Sequence, residues 1–437
     1  MVDTQPGMAN LSNTALSRTR LGLVCDFLEE NWPSMELVAG MLSDNLTSQH
    51  AGQFSVTRLC PPMRRYFKGP FGNRNTLHNI DRLLNRFVNY PRWLQRQAPD
   101  FDLFHVIDHS YSQLLHYLPH GRTVVTCHDL DTFRCLLHPD LEPRSRWFRA
   151  MTNRILQGFK KAAHVIAVSA VTRDEIIRHG LFTPDRVTVV SNGVHPSCSP
   201  LPNQVADAEL ERLLPRNANS TVWLLNVGST MKRKRMDVLL RVLAAVRRQI
   251  PSARLLRVGE HLTGSQSQLA RELGIDDAIV QLPTLSREVL AATYRRAHLL
   301  LHTAEAEGFG LPVVEAMACG CPVVATDLPV LREVGGNAAV YCPLGNIPEW
   351  NDHVTQLLEQ RAQQSQMWEG FRKQAMAHAS RFSWAEAARN TATIYNTLLR
   401  SSPRPDQDYG RASNWIDQLT LEKTQSGHNQ PTGKHRT

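Results

Sequence analysis

At 437 residues, with 42% of them hydrophobic and a formal net charge of +9, the chain is too long for one ordinary core and apolar enough to build two. Its first twenty residues are polar and lack the apolar stretch of a secretory signal, and no later window reaches the roughly twenty consecutive apolar residues that cross a bilayer. Neither export by the usual route nor a membrane span is expected, which leaves a cytoplasmic protein, soluble or peripheral at the inner face of the membrane. Eight cysteines are present. Cys25 and Cys127 sit in apolar strand-like runs, and Cys319 and Cys321 form a Cys-x-Cys without a second pair at zinc spacing, so buried, reduced thiols and no metal centre are expected.

After a polar segment over residues 1–20, short β-branched or apolar runs alternate with helical patterns. The runs Leu21 to Phe27, Phe54 to Leu59, Leu103 to Ile107, Thr123 to Cys127, His164 to Val168 and Val187 to Val190 read as strands. Between them, Asn79 to Gln97 and Arg144 to Ala162 repeat apolar residues at intervals of three and four, as helices do. This βαβ ladder predicts a parallel sheet covered on both faces over residues 21–200. Pro196, Pro200 and Pro202 then mark a linker. A second ladder over residues 201–384 places strands at Val222 to Val227, Leu255 to Val258, Ile279 to Leu282, His298 to His302, Pro322 to Thr326 and Ala338 to Tyr341. The expected fold is α/β, two Rossmann-like domains with parallel sheets facing a central cleft. A terminal helix (385–400) and a polar tail (401–437), whose composition suits disorder, complete the reading.

The charge is unevenly placed. From Arg58 to Arg96 nine bases face Asp81 alone, and Tyr66, Phe67, Phe71, Phe87, Tyr90 and Trp93 are interleaved with them. An anionic membrane surface or acidic acceptor suits this stretch, as does a plain solvated helix face; no nucleic-acid partner is expected.

No Gly-x-Gly-x-x-Gly follows the first strand of either domain, so the phosphate loop of nicotinamide and flavin enzymes is missing and no such cofactor is expected. The most informative segment runs from Glu307 through Gly308, Phe309, Gly310, Leu311 and Pro312 to Glu315. It follows a strand, holds two glycines where backbone must approach a partner, and enters a helix at a proline suited to the first turn. Such a helix start offers unpaired N–H groups to a diphosphate, and the two glutamates offer acceptors to sugar and ribose hydroxyls. His128 and the pair Asp129, Asp131 end another predicted strand. Asp100 and Asp102 form a second Asp-x-Asp, the pattern that holds a metal in some sugar-transferring enzymes, although neither pair is expected to do so here.

The Glu307 to Glu315 string resembles the signature of the retaining glycosyltransferases of family 4. The likeness extends over Leu21 to about Leu399. Asn226 to Lys234 is similar to the family's first C-terminal strand and basic loop, Val124 to Leu130 to its strand ending in His-Asp, Ser191 to Val194 to its hinge, and Phe382 to Trp384 to the start of its terminal helix. The resemblance implies a nucleotide diphosphate sugar as donor, held by Gly228, Arg233, Lys234, Glu307, Gly308, Phe309, Gly310, Leu311 and Glu315, with His128, Lys234 and Glu307 at the reacting centre. It also implies a glycan or lipid-linked acceptor, a hinge at Asn192 and Gly193, and turnover without metal. The chain departs from the family in two places. Where members have glycines after the first strand, it reads Asp26 to Met35, with Asn31 and Ser34 as polar candidates for the acceptor or diphosphate loop; and Ser229 stands where members place an arginine after Gly228. Two other readings fit the same architecture: a sugar-nucleotide epimerase or hydrolase, and a non-catalytic subunit of an assembly complex.

Overall fold

The computed structural model describes residues 18–67, 74–215 and 220–401. The polar segment before Arg18, Lys68 and Phe71 of the basic stretch, and the tail from Ser402 lie outside them. Twelve strands form two parallel sheets. The first comprises β1 (Thr19–Val24), β2 (Phe54–Leu59), β3 (Leu103–Val106), β4 (Thr123–Cys127), β5 (His164–Ala167) and β6 (Val187–Val189) in the order β2-β1-β3-β4-β5-β6. The second comprises β7 (Val222–Gly228), β8 (Ala253–Gly259), β9 (Ile279–Leu282), β10 (Leu299–His302), β11 (Val323–Thr326) and β12 (Val340–Cys342) in the order β12-β11-β10-β7-β8-β9.

Continuous apolar runs make these central strands. All five residues of β4 and all four of β3, β10 and β11 are buried, as a sheet covered by helices on both faces requires. One face of the first sheet packs Val106, Val125 and Val165 against Phe104, Tyr111 and Phe159. The other packs Leu21, Leu23 and Val124 against helix Pro33–Gln49 and the terminal helix Trp384–Ser401. Helix Trp384–Ser401 therefore returns from the second domain to the first sheet, with Tyr395 bonded to the buried His105 of β3.

The crossing back meets the segment expected to be the hinge. Val194 N–H donates to the Phe382 carbonyl (3.0 Å), and a β-carbon on Gly193 would stand 2.2 Å from the Trp384 nitrogen. Only glycine allows that approach. Asn192 beside it is buried.

The predicted helix Asn79 to Gln97 is one continuous rod of three parts: Arg74–Leu84, a π-helical turn Asn85–Asn89, and Tyr90–Gln97. The wide turn accompanies the buried Asn85, whose amide donates to the carbonyls of Arg64 and Asp81, each at 2.7 Å, and accepts from Arg64 N–H at 2.9 Å. Of the eight cysteines, seven are buried and Cys60 is half-buried, all as free thiols. No helix among the described residues is long and apolar enough to cross a membrane.

Candidate active site

In each sheet the strand order reverses between two neighbours, β1 and β3 in the first, β7 and β10 in the second. The carboxyl ends of such strands open a crevice. β7 ends at Gly228 (φ 137°), and a short turn Lys232–Lys234 leads to Arg235, held left-handed at φ 49° before helix Met236–Gln249. β10 ends at His302, and its loop returns at Gly310 (φ 92°) to open helix Leu311–Ala318. Hydrogen bonds join the two loops: Glu305 N–H donates to the Arg233 carbonyl (2.8 Å), and the Thr303 side-chain hydroxyl to the carbonyl of Lys234 (3.1 Å).

Glu307 lies in the angle between them, its side chain 9% exposed. Oε1 accepts from the Lys234 ammonium and pairs with His302 Nε2 at 2.8 Å, while Oε2 faces Arg233 Nη1 at 3.4 Å. Burial alone would raise this carboxyl, but Lys234, His302 and Arg233 outweigh it and hold the group well below the usual carboxylate range. Glu315 has the opposite setting. It is buried, accepts from the Tyr294 hydroxyl at 2.9 Å and lies 3.8 Å from Arg287 Nη1. Burial raises its carboxyl, and these two partners offset that only in part.

The first sheet supplies the opposite wall. His128 follows β4 and pairs through Nε2 with the Ile107 carbonyl at 2.9 Å. A carbonyl accepts only, so Nε2 carries the proton and Nδ1 is left as an acceptor. Burial lowers the basicity of the ring and keeps it neutral. Asp131 Oδ2 meets Arg233 Nε across the cleft at 3.2 Å. At the ends of β1 and β3 the carboxyls of Asp26 and Asp108 face each other, a contact that becomes a hydrogen bond only when one of them holds a proton. Burial and Asp108 together raise Asp26, so the proton belongs there.

The sequence-predicted residues thus separate. Gly228, Arg233, Lys234, Glu307, Gly308 and Gly310 form one loop cluster, and His128 faces Gly308 from the other sheet. The Phe309 ring is buried among Val168, Val314 and Val334 and 5.7 Å from Phe382, where residues of both domains and the crossing segment cover it. Leu311, half-buried, packs against the same cluster. Asn31 (φ 53°) and Ser34 are exposed at the start of helix Pro33–Gln49, whose Pro33 carbonyl accepts from Arg287 at 2.8 Å. Asp102 is bonded to Arg20 at the opposite end of β3, away from the cleft. Sequence reasoning missed His302, Tyr294 and Arg287. His302 could have been flagged as a histidine closing a strand five residues before Glu307; the other two carried no signal.

Two family models match the chain, one described as Glycosyltransferase Family 4 over residues 46–197 and one as Glycosyl transferases group 1 over residues 215–374. The chain is 28% identical over 301 residues to O-antigen chain mannosyltransferase B of Escherichia coli, covering 67% of this chain and 75% of that protein. It is 34% identical over 192 residues to a D-inositol 3-phosphate glycosyltransferase of Mycolicibacterium smegmatis, covering 42% of this chain but only 40% of that relative's length. Among solved structures it resembles HepE of Anabaena, crystallised with UDP and glucose, with a TM-score of 0.64 at 18% identity over 87% of this chain and 100% of the other.

Proposed function

The chain belongs to glycosyltransferase family 4 and has its GT-B fold, and from that premise we propose that it moves a sugar from a nucleotide diphosphate donor to a glycan or lipid-linked acceptor with retention of anomeric configuration. One observation carries the reading: Lys234, Arg233 and His302 converge on Glu307 at the mouth of the β7 and β10 switch point. Breaking the bond from sugar carbon to diphosphate leaves negative charge on the departing phosphate, which fixed cations stabilise. Glu307 neutralises those cations in this structure. A bound diphosphate takes over Lys234 and Arg233, the amides at the start of helix Leu311–Ala318 add to them, and Glu307 is released to the hydroxyls of the donor sugar. Glu315 is then the acceptor for the ribose hydroxyls, exchanging the Tyr294 bond for them.

The acceptor hydroxyl attacks from the face the diphosphate leaves; its oxygen bonds the anomeric carbon as the carbon–phosphate-oxygen bond breaks, and its proton passes to the departing phosphate. Neutral His128 offers Nδ1 to a donor-sugar hydroxyl. The relatives' names support a glycoconjugate product, a mannosyl chain in one and a phosphorylated inositol in the other. Thermal-shift measurements across UDP, GDP, ADP and their common sugars test the donor, since a tight ligand raises the melting point by mass action. Proton NMR of the product with the donor so found reads the anomeric configuration. An inverted product, or fast hydrolysis of the donor without acceptor, would overturn the proposal.

A further inference from the structure

Arg257, on β8, is 1% exposed. Its Nη2 donates to the Gly228 carbonyl at 2.6 Å and its Nη1 to the Val258 carbonyl, while Nε has no partner. No carboxylate among the described residues lies within 4.0 Å of it. Glu260, whose charge partly offsets the effect of burial on Arg257, spends Oε2 on the amide (2.8 Å) and hydroxyl (3.1 Å) of Thr230. Burial weakens the guanidinium's hold on its proton only to about 10, so it is charged at neutral pH. A second unmet group adjoins it: the buried Ser229 hydroxyl also lacks a partner.

A buried charge held only by carbonyls is costly, and breaking even with it requires an opposite charge close by. Ser229 occupies the place where the family has an arginine, and Arg233 is engaged by Glu307 and Asp131. The carbonyl that Arg257 holds belongs to the peptide joining Gly228 to Ser229, and a hydrogen bond to a carbonyl polarises the N–H of the same peptide. We propose that Arg257 is a positioning residue of the donor site, its charge acting through the Gly228–Ser229 peptide on the diphosphate of the nucleotide and replacing the arginine absent at 229. The inference rests on the transferase reading.

Titration of the full chain with UDP, GDP and ADP, and with the matching nucleosides, tests it. Of these, the nucleotide that binds best should lose at least about tenfold in affinity in Arg257→Met, roughly the scale of one hydrogen bond to a charged group. Its nucleoside should bind as before, and the empty variant should melt no lower than the wild type. Arg257→Lys should recover part of the nucleotide affinity. Unchanged nucleotide affinity in Arg257→Met overturns the proposal, and so does a variant that melts lower and weakens nucleotide and nucleoside alike, which marks Arg257 as packing. A wild type that binds none of the three nucleotides defeats the transferase reading itself, a distinguishable outcome.

Discussion

A β-carbon placed on Gly308 would stand 1.6 Å from the carbonyl oxygen of His128 and 3.2 Å from the Asp129 β-carbon. The loop that carries Glu307 therefore meets the end of β4 backbone to backbone, and no side chain fits between. Gly308→Ala must part the two walls by an ångström or more, while Lys234 and Glu307 stay together within the second domain. A shift of that size can cost around a hundredfold in rate. We expect turnover to fall by at least about tenfold with nucleotide affinity nearly unchanged, checked by steady-state kinetics beside nucleotide titration. Normal turnover would mean that the contact is not made in the working state.

Lys234 is the cation most directly placed for the departing phosphate. Lys234→Ala should reduce turnover by about a hundredfold or more, the scale of losing one donor to developing charge. It also leaves Glu307 with only His302 and Arg233, so a modest fall in melting temperature should accompany the kinetic loss. Near-normal turnover with a verified donor removes Lys234 from the mechanism.

The two glutamates should respond oppositely to neutralisation. Glu307 is depressed below its ordinary value of 4.5, so the stability it contributes is present above that value and is lost as pH falls toward its folded-state pKa. Glu307→Gln should lower the melting temperature at neutral pH and flatten this acid limb. Glu315 is raised, so its contribution is present at low pH and is lost as pH rises through its folded pKa. Glu315→Gln should melt as high as the wild type or higher at neutral pH, yet bind nucleotide more weakly. Calorimetry from about pH 2 to 8 separates the two; parallel shifts would contradict the assigned environments.

The sheet frame was legible where a strand buried on both faces reads as one run, as Thr123 to Cys127 does. The edge strands Phe54 to Leu59 and Ile279 to Leu282, only partly buried, were also expected at their observed limits from their β-branched and apolar residues. The Glu307 loop was legible because its glycines, proline and acids are contiguous. What sequence could not give is what topology assembles. Asp26 and Asp108 lie 82 residues apart and meet only because β1 pairs with β3. Arg86 read as part of a basic surface, yet it turns inward to Glu30 at 3.6 Å and over the Tyr111 ring at 4.0 Å. A linear charge count cannot see such a partner.

Activity should persist in excess EDTA. Asp131 is engaged by Arg233 at 3.2 Å, and Asp129 accepts from the Asp131 amide at 3.0 Å, so this pair already serves the clasp across the cleft. Lys234, Arg233 and the helix amides can meet the charge of the diphosphate. Loss of more than about half of the activity, restored by a divalent ion, would assign the pair to a metal instead.

The basic stretch gives the last prediction. Arg58, Arg64, Arg65, Arg92 and Arg96 are exposed, and Tyr66 and Phe67 stand 48% and 47% exposed beside Arg65. The loop is anchored, Tyr66 N–H donating to Asp81 at 3.1 Å and its hydroxyl to Asn89 at 2.9 Å. Arg82 and Arg86 do not belong to this surface charge, since Glu30 faces both. Each exposed base near an anionic surface contributes on the order of 1 kcal/mol, decaying within a Debye length, so several together hold a protein reversibly. Binding to vesicles should rise with their phosphatidylserine content and fall with salt. Replacing Arg64, Arg65 and Lys68 with Gln should weaken it at least tenfold while nucleotide affinity stays unchanged. Arg86→Gln should instead lower the melting temperature, because it strips Glu30 of a buried partner, and should leave vesicle binding of the folded fraction intact. A wild type that ignores anionic vesicles at low salt would reduce the stretch to a solvated face and favour a soluble acceptor.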